Sequence, residues 1–238
     1  PGITTNSEGE YSIVANQNNI SNNDKLLLNT PENKFIYPRN IVVGENMIKQ
    51  IDITVFDHLV VDDETNFGET ENWSNHINVL TNITLSNTKL TIAPGTTIKF
   101  YNQSHLKITD KGSILAKGTS ENQITFTAAN IEAINLYNSI GKGSWSGIIF
   151  DAMHAEASTS IFDYCKIEGV KNLWLGGAIT INNFSKVEIL NSTIRNSSGL
   201  NGGALNVLNS TLTIRNTIFK NNGTISRSSY GPPEGGTI

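Results

Sequence analysis

Val187-Glu188-Ile189-Leu190-Asn191-Ser192-Thr193-Ile194-Arg195-Asn196 is followed 25 residues later by Leu212-Thr213-Ile214-Arg215-Asn216-Thr217-Ile218-Phe219-Lys220-Asn221. The two stretches agree in apolar alternation and in where asparagine falls. Phe162-Asp163-Tyr164-Cys165-Lys166-Ile167 fits the same frame 27 residues earlier. A second marker, Gly176-Gly177-Ala178-Ile179, returns as Gly202-Gly203-Ala204-Leu205 and Gly235-Gly236-Thr237-Ile238, at spacings of 26 and 33. An insertion at residues 226–233 accounts for the longer spacing and is expected to protrude as a loop.

A unit of about 25 residues, made of three short strands and turns, cannot bury its apolar side alone. Stacked coils do bury it, with neighbouring strands ~4.8 Å apart. The frame predicts an inward column of Phe162, Ile189 and Ile214, and another of Ile167, Ile194 and Phe219. Tyr164, Asn191 and Asn216 share a third position, where an inward asparagine can ladder its amide to adjacent coils. The glycine pairs are read as corners that need positive φ. An ordinary β-sandwich is the competing reading, but its strands do not return at this interval with the same punctuation. Residues 73–238 are therefore expected to form a right-handed parallel β-helix, a solenoid within an all-β chain. Lys89-Leu90-Thr91-Ile92 and His105-Leu106-Lys107-Ile108, each an alternating strand before a glycine turn, are read as an earlier echo of the repeat.

Composition agrees with this reading. Charged residues make up 16% of the chain, against a usual ~25%, and 32 Asn and 20 Gly fill much of the gap. Ala, Glu, Lys and Arg are too scarce to cover helix surfaces, while Asn, Gly, Thr and β-branched residues favour short strands and turns. A net charge of −4 with scattered basic residues offers no field for nucleic acid. No apolar stretch approaches the ~18–20 residues of a membrane span. One cysteine, Cys165, excludes an internal disulfide. The chain starts at Pro1-Gly2 without a signal peptide and stops at Thr237-Ile238, so both ends are expected to be cuts in a longer polypeptide.

Residues 1–57 read as a small β module. Tyr11-Ser12-Ile13-Val14, Lys25-Leu26-Leu27-Leu28, Ile41-Val42-Val43 and residues 48–56 are its strand candidates. Residues 58–72, with Asp62-Asp63-Glu64, Glu69 and Glu71, read as an acidic linker held extended by self-repulsion.

Thr4-Thr5-Asn6-Ser7-Glu8-Gly9-Glu10-Tyr11-Ser12-Ile13 resembles the hairpin of carboxypeptidase-regulatory-like domains, which implies a partial β-sandwich over 1–57. Residues 82–100, with Gly112-Ser113-Ile114-Leu115-Ala116-Lys117-Gly118-Thr119, Ile124-Thr125-Phe126 and Trp145-Ser146-Gly147-Ile148-Ile149-Phe150, resemble the opening coils of pectin-lyase-like β-helices on bacterial surfaces. The Gly-Gly-Ala-Ile/Leu marker with Phe219-Lys220-Asn221-Asn222 is similar to the repeat of polymorphic outer-membrane proteins, which are adhesin-like passengers. The resemblance covers about 160 of 238 residues. It implies the fold and a secreted or cell-surface setting; the fold itself hosts lyases, hydrolases, epimerases and inert stalks alike.

The chemistry of such enzymes is not written in the repeats. Calcium needs six to eight oxygen ligands, and only Asp163 and Glu188 fall near one face, in different registers, so no cofactor is assigned. A hydrolase needs clustered carboxylates, and no Asp-Asp pair or Asn-x-Asp occurs there. Asp151, His154 and Glu156 form the densest polar trio and are a candidate ligand-binding turn. Arg195 and Lys220 share a repeat position and could form a basic ridge for an anionic glycan. His58, His76, His105 and His154 are expected to be far apart, without metal-ligand spacing. Cys165, Trp145 and Trp174 read as packing residues. Asn-x-Ser/Thr triplets such as Asn191-Ser192-Thr193 and Asn209-Ser210-Thr211 follow from composition. The expectation is thus a non-catalytic adhesin or rigid stalk, its partner a glycan or another surface protein. A carbohydrate-active lyase or hydrolase with its site partly beyond residue 238 is the alternative, and a self-associating filament subunit a third.

Overall fold

The computed structural model describes residues 25–27, 35–37, 40–42, 54–56, 58–63, 65–134, 144–151, 158–184 and 186–225. They fall in two compact units, Pro1–Asp57 and His58–Ile238.

In the first unit Lys25–Leu27 pairs antiparallel with Asn40–Val42, and Phe35–Tyr37 with Thr54–Phe56. The sequence reading has no counterpart for Phe35–Tyr37. Its candidate Tyr11-Ser12-Ile13-Val14 and the hairpin quoted above lie outside the described residues.

In the second unit every named strand pairing is parallel, and the chain visits three stacked sheets in rotation. Sheet one runs through Leu59–Val61, His76–Val79, Thr97–Phe100, Ile124–Ala128, Cys165–Glu168, Thr193–Arg195 and Ile218–Lys220. Sheet two holds Ile83–Ser86, Leu106–Thr109, Ile148–Asp151, Ile179–Asn182 and Leu205–Leu208. Sheet three holds Thr70–Trp73, Lys89–Ile92, Ser113–Lys117, Ser160–Asp163, Val187–Leu190 and Leu212–Arg215. The later coils add Lys171–Gly176, Ser198–Asn201 and Gly223–Thr224 as a short fourth sheet. This is the arrangement of a β-solenoid: each strand's partners are the strands one coil away.

Alternation along four-residue strands sends one set of side chains inward, where it stacks on the coil above. Phe162 lies opposite Ile189 and Ile189 opposite Ile214; Ile167 lies opposite Ile194 and Ile194 opposite Phe219. Both expected columns are therefore present. Phe126, Phe150 and Phe162, from the three sheets of one coil, meet edge to face, with centroids 5.8 Å (Phe126–Phe162) and 6.1 Å (Phe150–Phe162) apart.

Two expectations give way here. Lys89–Ile92 belongs to sheet three and Leu106–Thr109 to sheet two, so their likeness is shared strand chemistry and not a repeat position. The stretch 58–72 is not a linker over its whole length. Leu59–Val61 pairs with His76–Val79, Thr70–Trp73 pairs with Lys89–Ile92, and Val60, Val61 and Asp62 are buried. The acids Asp62 and Asp63 fall at a corner between strands, which explains why an apolar run is absent there.

Corners are made by asparagine. Asn183, Asn191, Asn196, Asn209, Asn216 and Asn221 all carry φ between +45° and +54°, a region asparagine tolerates better than most L residues. At most of these corners the next residue is Ser or Thr, and its hydroxyl donates to the carbonyl two residues before it. Ser192 reaches Leu190 O at 2.6 Å, Ser197 Arg195 O at 3.0 Å, Ser210 Leu208 O at 2.7 Å and Thr217 Arg215 O at 3.0 Å. The Asn-Ser/Thr doublets are thus turn chemistry. The expected amide ladder exists too: Asn216 Nδ2 donates to Asn191 Oδ1 at 3.1 Å, and Asn191 Nδ2 to Asp163 Oδ1 at 2.9 Å. It runs along the outside of the corner, where Asn216 is exposed, rather than inside the coil. Of the described glycine pairs only Gly202 has positive φ; Gly177 and Gly203 serve instead where one coil's backbone lies against the next.

Candidate functional site

The outward side chains of sheet one form two adjacent rows. Register places Lys99, Thr127, Glu168, Arg195 and Lys220 in one row, and Thr97, Thr125, Lys166, Thr193 and Ile218 in the other. Arg195 and Lys220, paired by sequence, are therefore true neighbours across one strand spacing. Glu168, its side chain only 7% exposed, links its own row to the other. Arg195 donates to its Oε2 from Nε at 2.7 Å and from NH2 at 2.6 Å, and Lys166 Nζ lies 3.0 Å from its Oε1. One carboxylate thus fixes two cations, while Arg195 stays 41% exposed and Lys220 exposed beside it. Two cations on the Glu168 carboxylate and Lys220 beside Arg195 leave a net positive strip on a chain of net negative charge.

Asp151 lies on a different sheet, at the end of Ile148–Asp151 in sheet two. Its carboxylate takes Lys107 Nζ at 2.9 Å and Asn182 Nδ2 at 3.4 Å. Thr180 Oγ1 and Asn182 Oδ1, on the neighbouring strand, are buried without a hydrogen-bond partner. His154 and Glu156 lie outside the described residues. The structure therefore joins Arg195 to Lys220 and keeps Asp151 apart from both.

The other carboxylates on the coil faces hold separate partners. Asp110 accepts from Ser86 Oγ at 2.5 Å, Asp163 from Asn191, and Glu188 lies 2.7 Å from Lys186 Nζ. Among the described residues no three His, Cys, Asp or Glu side chains come together as a metal site. Burial, followed by the nearby Lys107 ammonium, lowers the pKa of His105. Lys171 is fully buried, and burial lowers its pKa as well; nothing in the sequence distinguishes it from a surface lysine.

Cys165 is buried in the core, and burial, with the Asp163 charge second, pushes its thiol pKa far up. Because the thiolate is the reactive form, the native protein is expected to react with a thiol-specific disulfide reagent at least about a hundredfold more slowly than the urea-unfolded chain. Equal rates in the two states would place Cys165 at the surface. Trp145 is also packed: its ring stacks on Phe100 at 4.0 Å, and Nε1 donates to Glu168 O at 2.9 Å. The expectation about histidines fails for one pair. His58, the residue before Leu59–Val61, and His76, the first of the adjacent strand, have their rings stacked at 4.4 Å.

Compared with protein-family models, curated proteins and solved structures, the chain matches none significantly. No described helix is long and apolar enough to cross a membrane, which leaves β-barrel spans unaddressed.

Proposed function

We propose that this chain is part of a non-catalytic secreted or cell-surface protein, in which a right-handed parallel β-helix acts as a rigid stalk and adhesive surface for anionic glycans. The observation that carries the reading is the strip on sheet one, where Glu168 holds Arg195 and Lys166 in place beside Lys220. A cation fixed by a buried partner loses less side-chain freedom on meeting a carboxylate or sulfate than a free lysine does. Repetition across coils adds weak contacts into useful avidity. The hand follows from the strong preference for right-handed crossovers between parallel strands of one sheet. The quoted resemblance to pectin-lyase-like and polymorphic outer-membrane repeats supports the bacterial surface setting.

The test is binding to immobilised heparin and polygalacturonate, with dextran as the neutral control. Binding is expected to be selective for the anionic polymers, to weaken with salt, and to fall on the order of tenfold in an Arg195→Ala/Lys220→Ala variant. Equal binding to dextran, or an unaffected double variant, would remove the reading. One observation favours a carbohydrate-active alternative: Asp151 is bonded to Asn182, whose Oδ1, like Thr180 Oγ1 two residues before it, is buried without a hydrogen-bond partner on sheet two. Release of reducing ends from the same polymers, abolished by Asp151→Ala, would establish that reading instead.

A further inference from the structure

We propose that His58 and His76 form a binding site for a divalent transition metal, clipping two neighbouring strands of sheet one together. The two residues are 18 apart in sequence, a spacing that means nothing on a helix or in a hairpin. The register of sheet one brings them together: Leu59 lies opposite Ile77, so the preceding residues, His58 and His76, face each other. Their rings stack with centroids 4.4 Å apart and planes 21° from parallel, and both side chains are exposed. Two imidazole–metal bonds of ~2.1 Å span at most ~4.2 Å. The stacked rings aim their nitrogen lone pairs side by side, so an ion is held when the exposed rings swing out of the stack and bring one nitrogen of each within that span. Two neutral imidazoles without a carboxylate suit Cu²⁺, Ni²⁺ or Zn²⁺ and not Ca²⁺ or Mg²⁺, with Cu²⁺ bound most tightly. Among the described residues no third His, Cys, Asp or Glu completes a cluster, so solvent fills the remaining positions. The placement gives the clip a purpose. Leu59–Val61 is the last strand of sheet one among the described residues, and the ion would tie it to the second strand.

Titration of the whole chain with Cu²⁺, followed by calorimetry and electron paramagnetic resonance, tests the site. The expected result is one ion per chain with the signature of two equatorial imidazole nitrogens, and affinity at least about tenfold weaker in His58→Asn and in His76→Asn. Both positions are exposed, so the variants should keep the wild-type circular dichroism. A His105→Asn/His154→Asn variant is expected to bind as the parent does. Absence of stoichiometric binding, retention of affinity in both single variants, or its loss in the His105/His154 variant would each overturn the proposal.

Discussion

Phe162→Ala is expected to lower the unfolding free energy by about 3–5 kcal/mol, the usual cost of emptying a buried aromatic site. Phe162 is fully buried on sheet three and meets Phe126 of sheet one and Phe150 of sheet two across the interior of one coil. Along its own column it lies between Ala116 and Ile189. A side chain as small as Ala116 cannot swing in to fill the space, so the cavity should persist. Urea unfolding followed by far-ultraviolet circular dichroism measures the effect. A loss below about 1 kcal/mol would mean that the coil collapses around the gap or that the aromatic trio is not its centre.

Gly177→Val is expected to destabilise the later coils by about 3 kcal/mol or more, beyond the range in which side chains repack around extra volume. A Cβ at Gly177 would stand 2.2 Å from Gly203 O and 2.3 Å from Gly203 C. Those are backbone atoms of the next coil, so relief requires the coils to part and their ladder to break. Gly223→Ala is the control, since a Cβ there meets nothing within 4 Å. The pair should separate cleanly in thermal melts and in proteolysis of the 177–225 region. A stable Gly177→Val protein would show that the coils are spaced more loosely than the glycine contacts require.

The later coils were legible because two of them are near copies at one interval, and identical intervals put identical residues in one column. Earlier coils hide the same geometry behind unequal lengths. Ile98 is 21 residues from its partner Ile77, whereas Leu115 is 46 from Ile161. The glycine marker was legible as position but not as cause: asparagine supplies the positive φ at most of these corners, and Gly177 is small so that backbones can meet. Of the basic strip, Arg195 and Lys220 could be found from the repeat alone. Glu168 and Lys166 could not, since their roles depend on an adjacent coil that matches the later ones only loosely in sequence. The histidine pair was hidden for the same reason: separation along the chain says nothing about separation across a sheet.

Each strand of these columns pairs with its equivalents one coil away, and the cross-sheet contacts of a coil, such as the Phe126–Phe150–Phe162 trio, lie within it, so a whole coil can be added or removed without changing the register of the rest. A deletion of five residues that removes a strand such as Leu212–Arg215 empties its place in the columns, whereas a deletion of 25 leaves Val187–Leu190 free to receive another strand like it. Lineages carrying this architecture should therefore differ in reach by integral steps of roughly one strand spacing, ~4.8 Å per duplication. Length becomes a heritable variable that evolution can tune without redesigning the core.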